Sequence, residues 1–310
     1  MTVRMRTTII ALILRWIDWA MCADNDITIA VTGSSGFIGS YLVKHLESKG
    51  TSVIKLDITE GIDLTKWDDV CDTEQFDVLF HLAGKTFVPA SYKAPRTFYH
   101  DNLMSTLNAL ELCRLHEARM ILASSYVYGV PEYLPIDEGH PVNALNPYAL
   151  SKIMCEDLCE GYFRDFGVPV LVFRQSNVYG HGQNSNFLIP KIVEQAQSGE
   201  VNLMDSTPKR DFIYVDDVIN AYIKGLNDNG KRFEIFNIGF GESFSVSDIV
   251  SMVLAHFSEG IRVHYSGEAR KVEIPDTCYD ISKARKILNW KPQIDIQDGI
   301  SKMINYQERS

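Results

Sequence analysis

The chain has 310 residues, of which 45% are hydrophobic and 23% charged, as in a globular protein large enough to form two lobes. Its formal net charge of −10 argues against a general nucleic-acid binder and against binding to anionic membranes, so an anionic substrate would need locally placed cations. The six cysteines contain no CxxC pair and the eight histidines show no metal-ligand spacing, so we expect neither a metal site nor a disulfide framework.

The first 25 residues do not fit the pattern of the rest. An apolar run at positions 8–14 follows two arginines, as in a signal peptide, but Arg15 and Asp18 interrupt it and it is too short to span a bilayer. We expect residues 1–25 to lie outside the fold, with Met21 as the natural start and the preceding residues an upstream-start artefact or a floppy arm. The alternative is an interfacial helix.

A strand, a glycine loop and a helix follow one another between Ile27 and Leu46. The strand is short, β-branched and apolar, as buried parallel strands are. The glycines permit a tight turn, a close approach of backbone to a ligand and close packing of the helix on its strand, and the helix N-terminus favours an anion. The stretch predicts a dinucleotide pyrophosphate site, and the alternative is an ordinary glycine-rich turn. The predicted contacts are Gly33, Gly36, Phe37, Ile38 and Gly39.

Asp57 closes the next apolar run, close to the spacing of about 20 residues expected for a carboxylate that binds an adenosine ribose. A carboxylate there repels a 2′-phosphate and therefore selects NAD over NADP, although the sequence leaves open whether Lys55 lies nearby. In the bend that follows, Asp63 and Leu64 could lie beside an adenine, with a surface turn as the alternative.

A buried strand is predicted at 77–84, and it ends in small residues against which a cofactor could lie. The predicted contacts there are Leu82, Ala83 and Gly84. The helix expected from Pro95 to about His116 carries Asn102, which we also place near the cofactor.

Tyr148 and Lys152 stand at i and i+4, on one face of a helix predicted to reach about Phe166. A nearby ammonium favours the ionised phenol, so the tyrosine could exchange a proton with a substrate hydroxyl or carbonyl. Ser124 ends the predicted strand 119–124, and open α/β sheets bind ligands at the carboxyl ends of their strands. Taken alone the pair would be structural, but together with the glycine loop it predicts a catalytic set.

Alternating strands and helices up to about Asn177 predict an α/β fold with a doubly wound parallel sheet. Beyond Asn177 the regular alternation of strands and helices ends, which indicates a smaller C-terminal α/β substrate lobe. We assign residues 26–178 and 211–240 to a nucleotide-binding domain, and residues 179–210 and 241–310 to the substrate lobe.

Several motifs occur in one order along the chain. They are GxxGxxG, an acid after the second strand, His81–Gly84, the Ser-Ser-Tyr-Val-Tyr-Gly turn at 124–129, Tyr148xxxLys152, Phe173–Gly180, Arg210–Asp217, Asn237–Gly239 and Asn289–Pro292. On these residues the sequence resembles the extended short-chain dehydrogenase/reductases, which have a Rossmann-type fold. More narrowly, it resembles their NAD-dependent nucleotide-sugar epimerases and dehydratases, over residues 27 to about 300.

The resemblance implies roles for particular residues. Tyr148 would be the acid/base, Lys152 its activator and nicotinamide-ribose ligand, and Ser124 the partner of the substrate oxygen. The implied substrate-binding residues are Ser124, Ser125, Asn177, Arg210, Arg270 and Glu273, of which Asn177 and the arginines would contact a diphosphate and Glu273 a nucleoside ribose. Arginine forks suit a diphosphate and would supply the local cations that an acidic protein needs. The alternatives are strand capping for Asn177 and a solvated surface position for each arginine.

The chain departs from the family pattern in two places. The 4,6-dehydratases carry an acidic pair after the catalytic Ser/Thr, where this chain has Ser125 and Tyr126, so dehydration is not expected. Lys271 and Val272 follow Arg270 in place of the usual Pro-Gly. The resemblance therefore implies a cytoplasmic, homodimeric, NAD-dependent nucleotide-sugar 4-epimerase that forms a transient 4-keto intermediate. The alternatives are an NAD(P)H-dependent reductase of 4-keto-6-deoxy nucleotide sugars and a non-catalytic NAD-binding regulator.

Overall fold

The computed structural model describes residues 27–228, 230–268 and 273–307. In this part of the chain, the largest sheet has six strands in the order β2-β1-β3-β4-β5-β9. All of its neighbouring strands pair in parallel, so the predicted doubly wound sheet is confirmed. Its strands are β1 (Ile29–Thr32), β2 (Val53–Leu56), β3 (Val78–His81), β4 (Arg119–Ser124), β5 (Val170–Gln175) and β9 (Phe233–Ile238).

Helices cover both faces of this sheet. Successive side chains of each strand point to opposite faces, and the apolar side chains on each face are buried in a separate core. Leu79 of β3 belongs to the core beneath the helices that carry Ala109 and Cys155, whereas Phe80 belongs to the core that contains Leu42. The described helices are α1 (Phe37–Ser48), α2 (Trp67–Val70), α3 (Val88–Lys93), α4 (Pro95–Leu115), α5 (Pro147–Phe166), α6 (Leu188–Gln197), α7 (Val215–Leu226), α8 (Val246–Leu254), α9 (Ser282–Ile287) and α10 (Ile296–Gln307).

Two smaller sheets lie outside the parallel sheet. The three-stranded one has the order β10-β8-β6, and the two-stranded one pairs β11 with β7. Their strands are β6 (Asn177–Tyr179), β7 (Glu200–Leu203), β8 (Lys209–Tyr214), β10 (Ser243–Ser245) and β11 (Arg262–Tyr265). The segment 211–240, which we assigned to the nucleotide-binding domain, contributes to two sheets. Its strand β9 lies in the six-stranded sheet, whereas β8 lies in the three-stranded sheet. The division into two lobes stays a prediction.

The helix α10 was not predicted from the sequence, although its apolar residues repeat at helical spacing. Ile296, Ile300, Met303 and Ile304 are buried at the spacing of one helical face. Within the described ranges, no helix combines the length and the apolar character needed to cross a membrane. The predictions for residues 1–25 lie outside the described residues.

Candidate active site

The glycine loop is built for close contact. Gly33 has φ +65°, and a Cβ placed on it would lie 2.7 Å from the backbone nitrogen of Ala83. A Cβ on Gly39 would collide with the carbonyl oxygen of Gly33. The loop therefore packs against the end of β3, and only glycine fits at these two positions.

The start of α1 is open to an anion. Gly36 is its N-cap, and neither a capping side chain nor an acidic residue in the first turn satisfies the first N–H groups, which include those of Phe37 and Ile38. Nearby in the loop, the Ser34 hydroxyl is buried and has no hydrogen-bond partner among the described residues. A crowded turn, an uncapped helix and an orphaned hydroxyl fit a bound phosphate.

Asp57 is linked directly to the glycine loop. Its carboxylate accepts hydrogen bonds from the backbone N–H of Ser35 at 3.0 Å and from the backbone and hydroxyl of Thr59, both at 3.0 Å. Burial would raise the pKa of Asp57, but the hydrogen bonds from Thr59 and Ser35 outweigh it and the pKa is lowered. Lys55 turns to Glu47, at 2.8 Å, which answers the question that the sequence left open.

Asp63 and Leu64 occupy a structured turn. The Asp63 carboxylate accepts hydrogen bonds from the backbone and hydroxyl of Thr65 at 3.0 and 2.7 Å, and Leu64 is buried with its carbonyl bound to the amide of Asn108 at 2.8 Å. The structure thus gives this bend local support, and the predicted adenine contact stays a prediction.

A buried histidine that the sequence reading did not single out supports the end of β3. The Thr32 hydroxyl oxygen accepts from the backbone N–H groups of Leu82 and Ala83, so its one proton goes to Nδ1 of His81 at 2.8 Å. His81 Nε2 then donates to the Thr106 hydroxyl at 3.0 Å. Burial, followed by the positive charge of Lys152, lowers the pKa of His81 to about 3, in agreement with this neutral tautomer.

Asn102 fixes the backbone that follows β3. Its side-chain oxygen accepts from the backbone N–H of Lys85 at 2.7 Å, and its amide donates to the Ser151 hydroxyl at 2.8 Å. A Cβ on Gly84 would lie 3.1 Å from the Asn102 oxygen and 3.5 Å from Nζ of Lys152. The predicted cofactor residues Gly84 and Asn102 therefore lie beside the predicted catalytic lysine.

Three ionisable side chains share one face of α5. Tyr148, Lys152 and Glu156 follow at intervals of four and are all buried. Lys152 Nζ donates to the carbonyl of Ala123 at 2.9 Å, at the carboxyl end of β4. This contact joins α5 to the end of β4, the strand that carries Ser124, while the catalytic roles of these residues stay a prediction.

Ser124 has a partner that was not foreseen. Its hydroxyl donates to Glu156 at 2.5 Å, and Glu156 in turn accepts from Arg174, with the shortest distance 2.6 Å. Burial would lower the pKa of Arg174, but Glu156 more than offsets it and the pKa is raised. The position of Glu156, four residues after Lys152 on the same helix face, is the sequence signal that could have identified it. Ser125, the next residue, is half-buried.

Arg210, one of the predicted substrate cations, lies on β8 in the three-stranded sheet. Arg210 on β8 binds Glu273 at 2.5 Å and the carbonyl of Ile274 at 2.6 Å, so two predicted substrate residues contact each other. On the adjacent strand β6, Asn177 donates its amide to the carbonyl of Asp211 at 3.0 Å. This hydrogen bond agrees with the strand-capping alternative for Asn177, and it involves the amide N–H of that side chain but not its oxygen. Arg270 lies outside the described residues.

In the described ranges, no cluster of three His, Cys, Asp or Glu side chains could hold a metal ion. Five cysteines in those ranges are free, and Cys155 and Cys159 are fully buried.

Comparison with known proteins agrees with this geometry. A model of the NAD-dependent epimerase/dehydratase family matches residues 29–239. The chain is 33% identical over 313 residues to a putative UDP-glucose 4-epimerase of Methanocaldococcus jannaschii, a match that covers 91% of this chain and 99% of the relative. It is 29% identical over 291 residues to the GDP-6-deoxy-D-mannose reductase of Pseudomonas aeruginosa, covering 89% and 95% of the two chains.

A solved structure shows the same likeness. The UDP-glucose 4-epimerase of Thermotoga maritima, in complex with UDP-glucose, superposes with a TM-score of 0.82 at 25% identity and covers 91% of this chain and 99% of its own. The match to the family model spans both the glycine loop and the Tyr148–Lys152 pair. The chain therefore belongs to the NAD-dependent epimerase/dehydratase family.

Proposed function

We propose that the protein is an NAD-dependent epimerase that inverts C4 of a nucleotide sugar. The observation that carries the proposal is the contact of Lys152 with the carbonyl of Ala123 at 2.9 Å. It joins the helix that carries Tyr148 and Lys152 to the carboxyl end of the strand that carries Ser124, which is where open parallel sheets bind ligands, and this supports the proposal. A regulator that only bound NAD would not need this set.

The residues present fit NAD. The crowded Gly33 turn, the uncapped start of α1 and the orphaned Ser34 hydroxyl suit a pyrophosphate, while the Asp57 carboxylate suits ribose hydroxyls. When bound, NAD supplies an acceptor that takes a hydride from the sugar carbon and returns it. Because Lys55 is paired with Glu47, no cation from β2 counters the repulsion of a 2′-phosphate by Asp57.

The protein's own part is to move one proton and to hold the sugar. Tyr148 takes the proton of the C4 hydroxyl as the hydride leaves C4, and Lys152 lies on the same face of α5, four residues further along the helix. The 4-keto sugar then turns over within the site. Tyr148 returns the proton when the hydride comes back to the other face, so no reductant is consumed.

The nucleotide would be held at a distance from this chemistry. Arg210 and Arg270 are proposed to contact the diphosphate and Glu273 the ribose. Arg210 and Glu273 bind each other at 2.5 Å, so the substrate would have to replace this ion pair with its own contacts to the two side chains. The relatives named above act on UDP-glucose or on a GDP sugar, and we propose a UDP sugar as the first substrate class to test.

We also propose a cytoplasmic homodimer. Leu150 on α5 is 41% exposed. Four further apolar side chains of α4 and α5 are half-buried: Met104, Leu107, Ile153 and Met154. An apolar face of this kind suits a second copy of the chain. The free cysteines of the described ranges fit a reducing compartment.

The test is turnover of UDP-glucose by the purified protein with catalytic NAD and no added reductant, followed by NMR of the sugar. We expect UDP-galactose to form while the reduced-nicotinamide absorbance stays small. Tyr148→Phe should lower kcat by more than about tenfold, or about 1.4 kcal/mol of barrier, with NAD still bound. Tyr162→Phe is the matched control, because Tyr162 lies on the same helix and donates to Glu111.

Two results would redirect the proposal. A Tyr148→Phe enzyme within tenfold of wild type would remove the acid/base role. Stoichiometric loss of reduced nicotinamide with a 4-keto-6-deoxy nucleotide sugar, and no epimer formation, would instead indicate the reductase. A relative of the second kind is the GDP-6-deoxy-D-mannose reductase of Pseudomonas aeruginosa named above.

A further inference from the structure

A surface pocket lies between α7 and the segment that follows α9, and none of its lining residues belongs to the site described above. Its volume is about 260 Å³. Small-molecule sites begin at about 300 Å³, so the pocket suits a small ligand. Its lining consists of three cations, three side-chain amides and the indole of Trp290. The cations are Lys224 of α7, Arg285 of α9 and Lys291 of the segment after α9.

The lining is positive, although the chain as a whole has a formal net charge of −10. In the part of the chain that the structure describes, no carboxylate lines the pocket and no ion pair joins Lys224, Arg285 or Lys291 to an acid. By contrast Lys283, on the same short helix as Arg285, is paired with Glu234. The three lining charges are therefore available to a ligand.

Two of these cations also have a structural role. Lys224 and Arg285 stand in the last turns of α7 and α9, where cations offset the negative end of a helix dipole. Each helix end carries about half a negative charge, so the two ends together offset about one of the three positive charges. Asp217, a buried acid whose carboxylate accepts the backbone N–H of Gln293 at 2.9 Å, offsets at most one more. The lining thus keeps a net positive charge.

Amide groups supplement the cations. Asn220 stands four residues before Lys224 on α7, so both side chains lie on one face of that helix. Asn289 has φ +49°, a left-handed conformation that glycine usually takes after a helix, and its side chain is exposed. It begins the Asn289–Pro292 motif, to which the proposed function gives no role. Amide, ammonium and guanidinium N–H groups all donate, so the lining is rich in partners for anionic oxygens.

We propose that this pocket binds a phosphate dianion, either as inorganic phosphate or as the phosphate group of a small monoester. A phosphate group carries a charge of about −1.5 to −2 near neutral pH and offers three strong acceptor oxygens. Arg285 supplies a planar fork and the two lysines supply point charges, which are the two ways in which proteins hold phosphate. The bound anion would link α7 to the segment that follows α9.

The first test is calorimetric titration of the NAD-loaded protein with inorganic phosphate and with ribose 5-phosphate, at constant ionic strength. We expect saturable binding of one anion with a dissociation constant at or below about 1 mM, and the tighter of the two probes identifies the source of the phosphate. Arg285→Gln should weaken binding by at least about tenfold, the worth of a charge-assisted hydrogen bond. No saturable binding of either probe would overturn the proposal.

The matched control is Lys286→Gln. Lys286 is the exposed neighbour of Arg285 in the same helical turn, but it is not a lining residue. Its loss changes the net charge and the helix dipole interaction as the loss of Arg285 does, so the affinity for phosphate should stay near that of wild type. Equal affinities of Arg285→Gln and Lys286→Gln, with a loss of stability in urea alone, would mean that Arg285 only supports its helix and would overturn the proposal.

Arg210→Ala separates the pocket from the predicted diphosphate site, and it should leave the affinity for phosphate unchanged. A loss of binding in Arg210→Ala but not in Arg285→Gln would place the anion at that other site and overturn the proposal. Epimer formation plays no part in these titrations, so their outcome is independent of the proposed function.

Asn289→Gly guards against misfolding, since glycine adopts the left-handed conformation readily and only the amide is lost. Its affinity for phosphate should fall by roughly two- to tenfold, the worth of one hydrogen bond. Lys291→Gln, at an exposed position, should weaken binding at least as much. Unchanged affinity in both of these folded variants would overturn the proposal.

Discussion

His81 should make the protein lose stability in mild acid. The histidine is 1% exposed and bridges the Thr32 and Thr106 hydroxyls, at 2.8 and 3.0 Å. In this position it must accept one proton and donate another, which only the neutral ring can do. The substitution to examine is His81→Gln, whose amide can also accept and donate but does not titrate.

The magnitude follows from the pKa of His81, which is about 3 in the folded protein and 6.5 as the reference for an unfolded chain. Below pH 6.5 the unfolded state binds a proton that the folded state refuses, so the contribution is fully present above that pH and is lost as the pH falls toward 3. At pH 5 the loss is about 2 kcal/mol, at roughly 1.4 kcal/mol for each pH unit.

The assay is the free energy of unfolding from urea denaturation at neutral pH and near pH 5. Wild type should lose about 2 kcal/mol more than His81→Gln over this interval. His264→Gln, at an exposed position on β11, is the matched control and should follow wild type. Equal pH dependence in wild type and His81→Gln would refute the reasoning.

Three further outcomes are expected. Gly39→Ala should destabilise the protein and abolish NAD retention, because its Cβ collides with the Gly33 carbonyl. The control is Gly161→Ala on α5, where a Cβ meets nothing within 4 Å and a gain of up to about 1 kcal/mol is expected in urea denaturation. Arg210→Ala should raise KM for the nucleotide sugar more than it lowers kcat, since diphosphate contacts are nearly equal in ground and transition states; an unchanged KM would remove Arg210 from the site. Asp57→Asn should shift the ratio of the dissociation constants for NADPH and NADH toward NADPH by about tenfold in a fluorescence titration, and an unshifted ratio would contradict the ribose assignment.

Much of the fold and part of the site could be predicted because the signals are local. The glycine loop, the start of α5 and the i+4 spacing of Tyr148 and Lys152 each occupy a few consecutive residues, whose physical meaning depends on glycine sterics and helical periodicity. Order along the chain then sufficed to predict a parallel sheet and to expect Ser124 at its carboxyl edge. These predictions needed no knowledge of distant partners.

Helix and strand bounds were also close where the local pattern was strong. The helix predicted from Pro95 to about His116 is Pro95–Leu115, and the strand predicted at 119–124 is Arg119–Ser124. The C-terminal helix Ile296–Gln307 was not identified, even though its buried residues repeat with helical spacing.

The sequence by itself determined the net negative charge, the alternating βα pattern, the loop in which only glycine fits at two positions, and the i+4 spacing of Tyr148 and Lys152. Tertiary structure decided which way the hydrogen bonds run. Ser124 meets Glu156 across 32 residues, Thr32 meets His81 across 49, and Arg210 meets Glu273 across 63. No local pattern encodes such contacts, because each side chain has several possible partners until packing brings one of them within hydrogen-bond distance and excludes water.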